Sequence, residues 1–380
     1  MFSRRFLLDF VVMLTALGSG PFLLRWLRAT VPAPAWRWFR RAFLMGPVLL
    51  ASGLVITLVC SFGVEQGYRW MLVSGIAFAW GVAVCCATVI GFLFHPNVSA
   101  SVSPIRRNLL RGAVSAAMTA PAATLAYGMF IGRRAFTLKE IEIPMPGLPP
   151  DLEGLRLVQL SDIHLSPFLS RTDLAYCVDM ANETRAQLAF VTGDLITGIR
   201  DSIDDCLAEL RRLRADAGIY GCNGNHEQYV GAEAYLEHTA GHLGMHFLRQ
   251  QQESLPFGSA LLNIAGVDHQ WRRDTYLKDA LPLLRPGQTN LLLSHNPDVF
   301  PVASRQGWDL TLAGHMHGGQ LNLEVMGTSY NLARTATPYV YGLYRQKRSA
   351  IYVTRGIGTI GMPVRVGAPP EVALLTLRRA

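Results

Sequence analysis

"LAGHMHGGQL", residues 312–321, sets His315 and His317 one residue apart among glycines. A strand alternates its side chains with a period of two, so positions i and i+2 share a face. With "DLTLAG" (309–314) as a strand, both rings leave its C-terminal end toward one spot. Gly314, Gly318 and Gly319 permit sharp turns and the close approach of another group. Taken alone, a histidine-bearing surface turn accounts for the pair equally well. The other strand ends decide between the two.

Short apolar runs alternate with helix-like polar stretches through the C-terminal part of the chain. Strands are expected at "RLVQLS" (156–161), "LAFVTG" (188–193), "GIYGC" (218–222), "LLNIAG" (261–266), "NLLLS" (290–294), "DLTLAG", "AIYVTR" (350–355) and "EVALLTL" (371–377). Helices are expected at 173–185 and 202–214. This pattern predicts a layered α/β domain with buried sheets. Several of these strands end in polar clusters: Asp162 and His164, then Asp194, then Asn225, His226 and Glu227, then His295, then His315 and His317. Ligands of α/β sheets sit at the carboxyl ends of strands. Five separate ends therefore converge, and the two histidines read as the last part of a metal cage. Imidazole with carboxylate suits Zn, Fe or Mn, and the missing thiolate argues against a structural zinc. The donors suffice for two ions if one carboxylate bridges, and two such ions suit hydrolysis of a phosphate ester.

The N-terminal part is different in kind. Half of all residues are hydrophobic, and mean hydropathy is +0.23. The excess lies in four runs, at 6–24, 42–64, 70–94 and 112–131, broken by a charge only at Asp9. Each has roughly the 20-residue length of a membrane-crossing helix. The first also reads as a signal peptide. Of the net charge of +8, residues 1–134 carry +11 (13 basic, with Asp9 and Glu65 acidic) and residues 135–380 carry −3 (22 basic, 25 acidic). The basicity flanks apolar runs, so it points to topology and anionic lipid and away from nucleic acid. Eight arginines in the first and third loops, against six basic residues on the other side, place those loops in the cytoplasm and the C-terminal domain outside. "IRRNLLRGAVSAAMTAPAATLAYG" (105–128) resembles a degenerate twin-arginine export signal and agrees, whereas "SRRFLL" (3–8) is a competing match. Cys60, Cys85 and Cys86 fall in apolar runs, and Cys177, Cys206 and Cys222 have no CxxC spacing, so no disulfide framework is implied.

"SDIH…GD…GNHE…SH…GHMHGG" is similar, in order and spacing, to the signature of the calcineurin-like metallophosphoesterases. "GLPPDLEGLRLVQLSDIH" and the tail "YVTRGIGTIGMPVRVGAPPEVALLTLR" resemble the bacterial membrane-anchored branch of that superfamily. The resemblance implies a four-layer α/β/β/α sandwich over 155–380, after a membrane region of about four helices (1–134) and a linker with a first strand (135–154). It implies that Asp162, His164, Asp194 and His317 hold one metal and that Asp194 bridges to a second, held also by Asn225, His295 and His315. His226 would touch the substrate phosphate, stabilising charge or protonating the leaving oxygen. Glu227 departs from the aspartate often found there, which implies tuning of the site.

His95, His238, His242, His246 and His269 match no motif and read as surface or packing residues. Arg355 and Arg365 read as structural ahead of phosphate-binding. "LSPFLSR" (165–171) reads as a packed loop or as an apolar rim for a lipid tail. The expected activity is hydrolysis of a phosphodiester, pyrophosphate or phosphomonoester on a lipid or cell-envelope substrate, by a metal-bridging hydroxide. One alternative is the pyrophosphohydrolase of lipid A synthesis that cuts UDP-2,3-diacylglucosamine. Another is a membrane scaffold or sensor with a structural metal site. A transporter is disfavoured, since the runs hold no polar relay beyond Asp9.

Overall fold

The computed structural model describes residues 68–93, 103–199, 201–271, 276–325 and 328–380, with scattered positions between 12 and 52. The chain divides into two units, Met1–Ile131 with Gly361–Val364, and Gly132–Ile360 with Arg365–Ala380.

In the first unit, α1 (Tyr68–Leu93) and α2 (Pro104–Phe130) are long helices. Ser103 caps α2 by accepting from the Arg106 N–H, and Pro104 sits in the first turn, where its missing N–H costs nothing. Among the described residues, one stretch, Gly112–Arg134, is long and apolar enough to cross a membrane, and Gly75–Ile90 is a shorter apolar helix. The expected spans at 6–24 and 42–64 lie largely outside the described residues.

The second unit carries two six-stranded sheets. Its strands are β1 (Thr137–Met145), β2 (Arg156–Leu160), β3 (Leu188–Thr192), β4 (Ile219–Cys222), β5 (His246–Phe247), β6 (Gln251–Phe257) and β7 (Ala260–Gly266). They continue with β8 (Thr289–Leu293), β9 (Leu310–Ala313), β10 (Asn322–Val325), β11 (Thr328–Asn331), β12 (Gly342–Gln346), β13 (Ser349–Val353) and β14 (Glu371–Arg379). The first sheet runs β1-β14-β2-β3-β4-β5 and the second β12-β13-β9-β8-β7-β6, with β10-β11 a separate hairpin. In the first sheet β2, β3, β4 and β5 are parallel neighbours, and in the second β13, β9, β8 and β7 are. Strands buried on both faces read as unbroken apolar runs, which is why "LAFVT" and "NLLL" show no alternation.

The helices are α3 (Arg171–Glu183), α4 (Ile203–Leu210), α5 (Asn225–Tyr229), α6 (Glu233–His242) and α7 (Phe300–Gln306). Leu174 and Val178 of α3, Leu207 of α4 and Leu236 of α6 pack on Val158, Leu160, Ala189 and Val191. The opposite face of the first sheet, through Leu157, Leu188 and Phe190, meets Leu262, Ile264, Leu291 and Leu312 of the second. Behind the second sheet, Ala303 of α7, Val299 and Trp308 cover Ala265 and Leu292. Three successive cores thus stack helices, sheet, sheet and helix. Cutting a buried leucine of the middle core to alanine costs about 2–5 kcal/mol.

Candidate metal centre

Register explains the convergence. Leu160, Val191 and Gly221 form one row across β2, β3 and β4, and Asp162, Asp194 and Asn225 follow it by two, three and four residues. Leu293 and Leu312 pair across β8 and β9, and His295 and His315 follow them by two and three residues. Both sheets deliver their polar residues at the carboxyl ends of these strands. Backbone bonds then lace the loops together: Asp162 N–H donates to Gly193 O, His164 N–H to Asp194 O, and Gly314 N–H to His295 O.

Asp162, His164, Asp194, His315 and His317 all have φ between 46° and 74°. That left-handed region is unfavourable for residues with a Cβ and persists where surrounding structure enforces it, as at functional sites. It also corrects the expectation drawn from strand alternation. The backbone leaves β9 at Ala313 and turns, so His315 faces His295 while His317 faces Asp162 and His164. The two rings thus fall in different donor groups. The glycines around it are needed for closeness, since a Cβ on Gly314 would stand 2.3 Å from Asp162 Oδ2 and one on Gly224 2.1 Å from Asp194 Oδ1.

Four groups of donor atoms, each within 4.8 Å of one another, are Asp162–His164–His317, His164–Asp194–His226, Asp162–Asp194–His295 and His269–His295–His315. Asn225 opens α5 beside them with its buried Oδ1 unpartnered. Seven of the eight residues singled out in the sequence fall in these groups, and the eighth, Asn225, immediately precedes His226 in the chain. His164 Nδ1 lies 3.1 Å from Ile196 O and His295 Nδ1 2.6 Å from Thr192 O, so each ring donates outward and turns Nε2 inward. There, His164 Nε2 and His317 Nε2 lie 3.2 Å apart, and His295 Nε2 is 3.1 Å from Asp194 Oδ2. Asp162 Oδ2 and His317 Nδ1 are buried without partners. Buried lone pairs facing one another are costly unless a cation lies among them. The residues present fit two divalent ions.

Electrostatics follow from burial and crowding. Burial pushes His164 down to about 3 and His315 to about 4, in the second case with the charge of His295. Burial would also lower His295, but Asp194, its hydrogen bond and Asp162 outweigh that and raise it to about 10. Burial, with repulsion from Asp194, raises Asp162 to about 6 against the pull of His295. Asp194 itself, despite burial, is held well below the usual carboxylate range by His295 and His164.

His226 donates from Nδ1 to Thr197 O at 2.7 Å and packs edge-on to His164, with ring centroids 4.7 Å apart. Glu227 is fully buried and accepts from the N–H groups of Asp194, Leu195 and Gly224 at 2.8–2.9 Å. It clamps the loop that carries Asp194, a supporting place consistent with tuning. Arg365, fully buried, donates to the carbonyls of Gly358, His317, Ala368, Arg355 and Gly356, so its role is structural. Arg355 lies over the Tyr341 ring at 4.6 Å. Leu165, Phe168 and Leu169 are buried, so "LSPFLSR" is a packed loop and not an apolar rim.

His269, read from the sequence as a surface or packing residue, is a packing residue, and it packs against the site. It is 4% exposed and lies against His295 and His315, not on the surface. Burial, with the charge of His295, lowers it to about 2. No motif marked it. The available signal was its offset: Gly266 ends β7 opposite Leu293, and His269 follows by three residues. His238, His242 and His246 are exposed as expected, and His95 lies outside the described residues.

A double sheet with strand ends converging on a carboxylate and imidazole cluster is a candidate metal-binding core. The sequence profile of the calcineurin-like phosphoesterases matches residues 155–319. The metallophosphoesterase YkuE of Bacillus subtilis (strain 168) is 30% identical over 290 residues, 72% of this chain and 97% of that one. A Danio rerio "transmembrane protein with metallophosphoesterase domain" is 30% identical over 267 residues, 67% of this chain and 60% of that one. Phosphodiesterase YaeI of Escherichia coli (strain K12) is 28% identical over 228 residues, 58% of this chain and 82% of that one. The chain belongs to the calcineurin-like phosphoesterase family. It spans 60–65% of the length of the vertebrate relatives it matches.

Proposed function

We propose that the chain is a membrane-anchored phosphoester hydrolase that uses two divalent ions, Mn, Fe or Zn, on a lipid-linked or cell-envelope phosphodiester, pyrophosphate or phosphomonoester. The observation that carries this reading is the set of inward-facing, unpartnered donors around Asp162, Asp194 and His295. Asp162, His164, Asp194 and His317 hold one ion, and Asp194, Asn225, His295 and His315 the other. Such a pair supplies Lewis acidity at phosphoryl oxygens and a water of lowered pKa. His226, with Nδ1 committed to Thr197 O, offers Nε2 to the substrate phosphate or the leaving oxygen. Membrane attachment through residues 1–134 is supported by the apolar stretch Gly112–Arg134 and by vertebrate relatives titled as transmembrane proteins. The basic flanks favour an inner-membrane chain with domain 155–380 on the outer side.

A second reading, cleavage of UDP-2,3-diacylglucosamine, has its own support. Tyr229 is 62% and Trp271 37% exposed, their centroids 5.3 Å apart, and Tyr229 stands edge-on to His226. An exposed ring pair beside the reacting centre suits stacking of a nucleobase. The test is the detergent-purified chain, stripped and reloaded with Mn, assayed on bis-p-nitrophenyl phosphate and UDP-2,3-diacylglucosamine beside Asn225→Ala and His226→Ala. Metal-dependent turnover lost in both variants supports the hydrolase, and the preferred substrate chooses between the readings. Inactivity on both, with two ions bound, favours the scaffold or sensor.

A further inference from the structure

We propose that His269 is a further metal-binding residue, completing with His295 and His315 a three-imidazole face on the second ion. The inference rests on the two-ion reading above. Its first ground is topology. β7, β8 and β9 are parallel neighbours, Gly266 pairs with Leu293 and Leu293 with Leu312. His269, His295 and His315 follow that row by three, two and three residues, so three adjacent strand ends each contribute one imidazole.

The second ground is distance. An imidazole bonded at about 2.1 Å has its centroid about 3.2 Å from the ion, so rings at right-angled to tetrahedral settings stand about 4.5–5.3 Å apart. The centroids of His269–His315 and His295–His315 are 5.1 Å apart, inside that range, and those of His269–His295 are 5.7 Å apart, which needs a wider angle at the ion. His269 Nδ1 is buried and has no hydrogen-bond partner, and one nitrogen of each ring falls within the 4.8 Å donor group.

The third ground is that the loop is held in place at each side of His269. Asp268 accepts from Asn223 Nδ2 at 2.7 Å and from Arg249 Nε at 3.1 Å. The Gln270 carbonyl accepts from Asn296 Nδ2 at 2.7 Å, and Trp271 donates to Gln228 Oε1 at 2.8 Å while packing edge-on to His269. Asn223 and Asn296 neighbour the donors Asn225 and His295, so the same loops that place those donors fix this ring. Metal ligands need such outer support to keep their geometry.

The experiment uses the full chain in detergent and compares the parent with His269→Ala and His269→Gln. All three carry His242→Ala, because exposed His238 and His242, with Nε2 atoms 3.0 Å apart, form a surface pair able to take up transition metal. Co(II) content is measured by elemental analysis against a competing chelator, together with the visible Co(II) spectrum, and thermal midpoints in chelator confirm folding. The expected result is two ions per parent chain, with one retained in His269→Ala and the other weakened at least about tenfold, and an altered spectrum. His269→Gln, which keeps most of the volume, gives the same reading if the alanine variant does not fold. Two ions held by parent and variants with the same competition curve and spectrum overturn the assignment of His269 alone. Fewer than two ions in the parent overturn the two-ion reading with it.

Discussion

His295 holds Nε2 3.1 Å from Asp194 Oδ2 while its Nδ1 is committed to the Thr192 carbonyl at 2.6 Å. Against burial, Asp194 and Asp162 raise it to about 10, so without metal the ring there is an imidazolium. As a ligand of the proposed second ion it would be neutral, since a ligating imidazole gives up its proton. The same geometry therefore has two charge states, chosen by the ion.

A pH dependence of the metal-free chain follows. A raised histidine stabilises fully below its unfolded value of 6.5, and that stability is lost as pH climbs toward about 10. His164, His315 and His269 are lowered to about 3, 4 and 2, so below 6.5 the unfolded chain binds protons that the folded one does not. Stability in chelator thus falls on both sides of about pH 6.5. Saturating Mn changes the alkaline limb, because binding displaces the His295 proton and is favoured as pH rises. Thermal midpoints between pH 5 and 9, with chelator or Mn, check this: the Mn-induced increase should grow with pH.

Glu227 carries a second prediction. Its carboxylate accepts from Asp194, Leu195 and Gly224, and a glutamine there turns an N–H₂ toward some of those donors. Glu227→Gln should cost about 2–3 kcal/mol, the scale of buried bonds to a charged acceptor. It should also weaken metal binding about 10–100-fold by loosening Asp194. Denaturant titration in chelator and chelator competition measure the two effects separately.

Much of this was legible because chemistry and fold share one signal. Buried parallel strands read as apolar runs, and their ends, where ligands collect, read as the first polar residues after them. All eight expected strands formed, most within a residue or two at each end. Edge strands escaped: "QQESLPF" is only partly buried along its length and has no apolar run, and β5 is two residues long. His269 escaped for another reason. Its strand end "GVDH" (266–269) carries one donor without a recognisable motif, and only register across β7, β8 and β9 places it beside His295. The left-handed turns at Asp162, His164 and Asp194 were likewise invisible, since site geometry and not residue type imposes them.

Arg365 supplies a prediction about structure that a catalytic reading would not make. Five carbonyls accept from its guanidinium, and of these His317 O and Gly356 O accept also from the N–H groups of Gln320 and Glu371. Arg365→Met should lower stability by at least about 3 kcal/mol, because buried acceptors lose their donors. Arg365→Lys should recover little, as an ammonium cannot reproduce the planar fork. The check is denaturant titration in chelator, where a residue acting only on substrate would leave stability unchanged.

His226 stands where two roles meet, binding a phosphoryl oxygen or protonating the leaving oxygen, and leaving-group dependence separates them. Its Nδ1–H is held by Thr197 O, so Nε2 is the atom available to substrate. As general acid it contributes about 10²–10⁴-fold, and only where the departing oxygen needs a proton. p-Nitrophenolate leaves as a stable anion, whereas an alkyl or sugar oxygen does not. If His226 protonates, His226→Ala should depress kcat on an alkyl phosphodiester at least about 100-fold more than on bis-p-nitrophenyl phosphate, steepening the dependence of rate on leaving-group pKa. If it only stabilises phosphoryl charge, both substrates should fall by a similar factor and the slope should hold. The slope of log kcat across a series of aryl and alkyl leaving groups, parent against His226→Ala at saturating Mn, decides between the two.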